Sequence, residues 1–340
     1  MKTNLKQRIE MLFPPLGTPH ARMAALFPHP AAWALLAAAF LAVLALMALS
    51  GFSIRVQRAD VQVLGCLLLM AIVAWRAYSQ GLLRSSILLQ FLLLLSLMAY
   101  MGGMLSYTLM SLRFPPMDQA LARLDALMGF DWIAHVRFVN AHPGLAKALG
   151  FAYNSINYFI LGIPLWLLAT GRIARLRGYF LLSILTGLLT ITLGGMLPAL
   201  GGYGHYQPAA EMTGNLPPQA GRYFLAHVSA LMNGQMSSVA LGEMKGIICI
   251  PSFHTILALI FIWSFRNTRL FWPAFAFNIT IIVSTISMGG HYLTDLMAGS
   301  ALFLAVLWSL EKFGWLDESA DAQSWAQKSG LSAPLAKAPA

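Results

Sequence analysis

Charge is scarce in this chain of 340 residues: Asp, Glu, Lys and Arg together make up 10% of it, against 58% hydrophobic residues. With a mean hydropathy of +0.68, that balance excludes a soluble domain and reads as a polytopic membrane protein. Cysteine is scarcer still. Cys66 and Cys249 both sit in apolar runs, with neither metal-ligand spacing nor a disulfide framework, so they read as packing residues and are silent on compartment. No internal repeat is visible, which counts against the paired broken helices of many transporters. Acidic residues number 12 against 22 basic ones, a net charge of +10. The Lys and Arg fall in short clusters between apolar runs, so the surplus reads as a topology signal and not as a nucleic-acid surface.

What the chain does have is apolar length. Crossing a hydrocarbon core takes about 20 residues, and eight runs qualify: 31–51, 61–78, 86–110, 151–170, 179–200, 246–265, 271–288 and 291–310. The first lacks a small-residue cleavage site and is read as an uncleaved anchor. Arg76 and Arg84, then Arg172, Arg175 and Arg177, then Arg266 and Arg269 mark one side, together with the basic, proline-interrupted N-terminal segment 1–30. By the positive-inside rule this predicts both termini in the cytoplasm, in a bacterial inner membrane. The expected fold is an all-α polytopic membrane helical bundle of about eight transmembrane helices, with interfacial helices on the outer face. Those come from 112–150, in helical rhythm, and from 222–236 (RYFLAHVSALMNGQM), after a turn at GGYGHYQP. The domain plan is 1–30 basic and cytoplasmic, 31–310 transmembrane with a catalytic core at 246–300, and 311–340 a disordered cytoplasmic tail.

The stretch 246–295 organises the rest. His254, His291 and Asp295 lie there in otherwise apolar sequence, where polar groups are costly and so point to function. The two histidines flank a hairpin that turns at Arg266 and Arg269, so both return to the outer face. His254 stands about 18 Å from Arg266 by helical rise, at headgroup depth. Pro251 and Ser252 read as a helix start whose free N–H groups would face an anion. Gly289 and Gly290 read as a backbone break that lets His291 open the last helix, with Asp295 four residues on along the same face. A carboxylate there fixes one imidazole nitrogen and makes the other a better nucleophile. The roles that follow are His291 as nucleophile on phosphorus, Asp295 as its orienter and His254 as general acid, with no metal or cofactor required.

Pro251-Ser252-Phe253-His254 and His291-Tyr292-Leu293-Thr294-Asp295 resemble the second and third motifs of the type-2 phosphatidic acid phosphatase superfamily. Phe253 and the run GGHYLTDLMAGS look most like its inositol phosphorylceramide synthase branch. The resemblance implies a phosphohistidine intermediate, no metal and a lipid phosphoester substrate. It also has gaps: Ser284-Thr285 stand where the superfamily has Ser-Arg, and no Arg-Pro dipeptide supplies its first motif. Arg222 and Lys245 are replacements by charge and side, Ser252 is a further binding candidate, and His205 is either a headgroup contact or a solvated turn residue. The function expected is a lipid phosphotransferase moving a phospho-headgroup from a phospholipid donor to a lipid alcohol. The alternative is a phosphatase with water as acceptor, and a transporter with a His/Asp relay ranks third. The partners are thus membrane lipids, with no nucleic acid, and the sequence leaves the oligomeric state open.

Overall fold

The computed structural model describes residues 27–318. Helix α1 (Pro30–Ser50) begins where proline fits the first turn and the His29 ring accepts from the Ala31 amide, and it ends at Gly51 with φ 68°. A short strand, β1 (Ser53–Arg55), leads into α2 (Arg58–Ser79) and α3 (Leu83–Met110), which pack as a hairpin. Two short helices, α4 (Asp118–Leu127) and α5 (Trp132–Ala141), precede α6 (Pro143–Ala169) and α7 (Ile173–Met196). The next loop carries α8 (Gly201–Tyr206), α9 (Leu225–Met232) and β2 (Ser238–Ala240), the last pairing in parallel with β1. The chain then forms α10 (Phe253–Ser264), α11 (Phe271–Ser284), a π-helical turn (Thr285–Gly289) and α12 (Leu293–Lys312).

Among the described residues seven helices are long and apolar enough to cross a membrane: α1, α2, α3, α6, α7, α11 with its π turn, and α12. The all-α polytopic bundle expected from the sequence is therefore the architecture found. The eighth expected span, 246–265, is helical only over the 12 residues of α10. Residues 247–252 are mostly apolar because they lie largely inside protein. Gly194 of α7 lets them approach so closely that a Cβ there would stand 2.5 Å from the Ile250 carbonyl oxygen. Apolar composition alone does not separate a lipid-facing segment from one buried against another helix.

Other boundaries shift for local reasons. Pro143 starts α6 eight residues before the expected 151, because it fits the first turn of a helix. The expected interfacial helix in 112–150 is two helices, α4 and α5, separated at Gly129, whose φ is 75°. The expected turn GGYGHYQP is helical over its first six residues and turns only at Gln207, with φ 45°.

The main apolar core runs through α3, α6, α7, α10 and α12. At one end of the bundle Arg175 and Arg266 meet on Glu318, at 2.6 and 2.5 Å. That arginine end is the face expected in the cytoplasm, and ordered chain continues past α12 to reach it. The basic segment up to residue 26 and the tail beyond 318 lie outside the described residues. At the opposite end, α5 and α8 form a cap with its own core around the buried Trp132, and α4 lies beside it with Leu121 in a second small core against Cys249 and Tyr292.

Candidate active site

The cap end is where the two sequence motifs meet. Ser252 caps α10, its hydroxyl accepting from the Thr255 amide at 3.4 Å and the Thr255 hydroxyl at 3.1 Å. Pro251 therefore sits just outside the helix and not in its first turn. Next to the cap, His254 stacks on Tyr153 of α6, with ring centroids 4.7 Å apart and planes at 21°.

His291 does not open the last helix. It lies in the loop before α12, after Gly290 turns the chain with φ 77°. Asp295 sits in the first turn of α12 and reaches back, its Oδ2 accepting from the Tyr292 amide at 2.9 Å. The same oxygen stands 3.2 Å from His291 Nδ1 and accepts from the Cys249 thiol at 3.1 Å. The four-residue spacing thus brings the pair together through a helix cap and not along one helical face. An ionised carboxylate only accepts, so Nδ1 carries the proton and Nε2 keeps its lone pair. Both side chains are buried, and the His254 and His291 rings stand 6.1 Å apart.

Side chains from far along the chain hold the His291 loop. The Trp132 indole donates to the His291 carbonyl at 3.1 Å, and the Tyr203 hydroxyl to the Ser287 carbonyl at 2.6 Å. Two acids of α4 do comparable work. Asp118 accepts from the Leu200 and Gly201 amides and from the Tyr292 hydroxyl at 2.9 to 3.0 Å. Asp125 accepts from the Leu293 and Thr294 amides, capping α12 from outside. These four residues escaped the sequence reading, because their partners lie 82 to 174 residues away. One signal was present: two acids seven residues apart, hence on one face of a helix read as interfacial.

A cavity of about 430 Å³ is lined at one end by the two histidines and runs between α3, α6, α7 and α10. Lys245 lines its mouth, with its ammonium donating to the Tyr223 carbonyl at 2.8 Å. Burial pushes the neighbouring Tyr223 phenol above its ordinary pKa, which keeps it a hydrogen-bond donor. The fold therefore gathers Ser252, His254, His291, Asp295 and Lys245. It leaves Arg222 and His205 off the cavity wall. Arg222 lies over the Tyr203 ring at 4.6 Å and donates to Thr213, and His205 is exposed.

Among the described residues one group of His, Cys and acidic side chains is close enough to hold a metal ion: Cys249, His291 and Asp295, with ligand atoms within 4.8 Å of one another. Their mutual hydrogen bonds already account for that spacing. The arrangement is suited to a nucleophilic imidazole facing a second imidazole across a gap wide enough for a phosphoryl group.

Comparison with known families gives one match: residues 119–309 fit the family model described as the PAP2 superfamily. No curated protein and no solved structure matches the chain.

Proposed function

Because the chain belongs to the PAP2 superfamily, we propose that it is an integral membrane lipid phosphotransferase, moving a phospho-headgroup from a phospholipid to a lipid alcohol through a phosphohistidine. The observation that carries this reading is His291, held at Nδ1 by the buried Asp295 and facing His254 at 6.1 Å ring to ring. Nε2 of His291 attacks phosphorus, and the bond from phosphorus to the lipid oxygen breaks. The departing alkoxide takes a proton from His254. In the second half the acceptor hydroxyl gives its proton back to His254, attacks phosphorus and breaks the P–N bond. Asp295 stabilises the positive charge that develops on the His291 ring.

Lys245 is the cation assigned to the phosphate, in place of the arginines the resemblance leads one to expect. The amides that open α10 add donors from the other side. A lipid acceptor is favoured over water because the cavity behind the histidines is walled largely by aliphatic and aromatic side chains. The similarity of Phe253 and GGHYLTDLMAGS to inositol phosphorylceramide synthases supports a polyol-phosphate headgroup and a sphingoid or glycerolipid acceptor. The site works on the outer, periplasmic face of a bacterial inner membrane.

The test is mass spectrometry of lipid products from the purified protein given mixed phospholipids, with and without ceramide or diacylglycerol, and with His291→Ala as control. A new headgroup-bearing lipid that needs both acceptor and His291 is the expected result. Phosphate or phosphomonoester release regardless of acceptor would make the protein a phosphatase. Identical products from wild type and His291→Ala would end the phosphohistidine reading, and activity lost to a chelator and restored by a divalent ion would end its metal-free part.

A further inference from the structure

The cavity behind the histidines has a definite length. Its wall on α3 runs from Leu94 to Ser106 and its wall on α7 from Tyr179 to Ile191. At the helical rise of 1.5 Å per residue each wall spans about 18 Å. A volume of about 430 Å³ drawn out over that length is elongated, the shape of a hydrocarbon chain. Small residues are part of its wall: Gly102 and Gly103 on α3, and Ser183 and Gly187 on α7. The Ser183 hydroxyl is spent on its own Tyr179 carbonyl and offers the cavity no free donor. Away from Lys245 and the histidines the cavity's lining is mostly aliphatic and aromatic, a surface that the hydrophobic effect favours covering with an apolar group. It therefore calls for an apolar occupant.

One polar atom on the wall has no partner. Thr190 Oγ1 is buried without a hydrogen bond, and among the described residues of this lining it is alone in that. Thr190 lies eleven residues along α7 from Tyr179, so it stands near the histidine end, about 16 Å from the floor. That is where a lipid carries an ester carbonyl, amide or hydroxyl next to its headgroup. An orphan hydroxyl at that level and an apolar floor below it match the polarity order of a single lipid chain read from head to tail.

We infer that the cavity holds a long hydrocarbon chain of the reacting lipid, with its polar linkage at Thr190 and its tail end against Leu94, Tyr179 and Phe180. This deepens the phosphotransfer reading and rests on it for the identity of the headgroup end. An 18 Å channel admits about 14 extended methylenes, each advancing about 1.25 Å for a 1.5 Å bond at the tetrahedral angle. The floor thus acts as a ruler on chain length.

The experiment uses the full chain in nanodiscs with n-alkyl monophosphates of 6 to 18 carbons as donors, and in a second arm n-alkanols of the same lengths as acceptors. kcat/KM should rise with length to about 14 carbons and then level or fall, in the arm whose chain occupies the cavity. Ser183→Phe, one turn above Tyr179, should move that limit down by about five carbons. Leu189→Phe, on the opposite, bilayer-facing side of α7, should leave it in place.

Binding is read separately, in the His291→Ala protein, by photolabelling with alkyl phosphates that carry a terminal diazirine. A 14-carbon probe should label Leu94, Tyr179 or Phe180, and an 8-carbon probe should label residues nearer Gly187. Labels at the floor uphold the inference even if no alkyl phosphate is turned over, in which case the phosphotransfer reading falls instead. Labels confined to bilayer-facing residues, or a length limit that Ser183→Phe does not move, would overturn it.

Discussion

The Trp132 indole donates to the carbonyl oxygen of His291 at 3.1 Å across 159 residues of sequence. It ties the cap helix α5 to the loop that carries the proposed nucleophile. Trp132 also stacks on Tyr206 at 5.3 Å and fills the space left by Gly202, where a Cβ would come within 2.1 Å of the indole. A tryptophan is needed here both for its bulk and for its single donor.

Trp132→Phe should therefore keep most of the packing and lose the donor. A net hydrogen bond is worth about 0.5–1.5 kcal/mol. We expect kcat to fall roughly two- to tenfold with KM little changed and Tm only modestly lowered. A large loss of Tm with unchanged kcat per folded molecule would assign the indole to stability alone.

Asp295→Asn should leave the fold intact, since an amide oxygen can still accept from the Tyr292 amide. It removes the charge that fixes the His291 ring and stabilises its imidazolium form. A loss in kcat on the order of 10³ to 10⁴ is expected, as for removal of a triad carboxylate. Circular dichroism and product mass spectrometry on the same sample decide it, and near wild-type turnover would contradict the assignment.

His227, in α9 of the loop between α7 and α10, gives a pH signature. Its Nδ1 lies 2.5 Å from the Tyr107 hydroxyl, which itself accepts from the Lys245 amide, so the neutral ring is the acceptor. Burial first and the Lys245 charge second push its pKa below the ordinary value. The unfolded chain, at about 6.5, then binds the proton more readily than the folded one. The stability contribution is present above that value and is lost as pH falls through the folded one. Tm should drop between about pH 7 and pH 5, and His227→Gln should flatten that slope. An unchanged slope would remove His227 from the account.

Sidedness is read with cysteines at two exposed positions, His205 near the site and Arg269 at the arginine end, in a Cys66→Ala background. A membrane-impermeant maleimide should label the first from outside intact spheroplasts and the second only after lysis. The reverse pattern would invert the topology.

Much of this was legible in the sequence because it is local. Pro251, Ser252 and His254 announce a capped helix, and His291 with Asp295 announces a pair, whatever surrounds them. The mechanism of that pairing was not legible, since a spacing of four suits both a helical face and a carboxylate reaching back over a helix start. Only Gly290 hinted at the second. Residues 246–252 were misread because burial against α7 and burial in lipid select the same side chains. Trp132, Tyr203, Asp118 and Asp125 act at long range, and an isolated chain does not announce such partners. Cys249 was read as packing and proves to be a third donor to the Asp295 oxygen.

The Ser252 amide donates to the Asp295 carbonyl at 3.0 Å, and Gly299 lets α12 come so near that a Cβ there would stand 2.7 Å from the Ser252 carbonyl oxygen. The two motifs are therefore welded backbone to backbone, with no flexible side chain between them. A bilayer undulates and its thickness fluctuates, tilting helices against one another. Segments joined in this way ride that motion as a single rigid body, so the distance from His254 to His291 is insulated from the mechanical noise of the membrane around it.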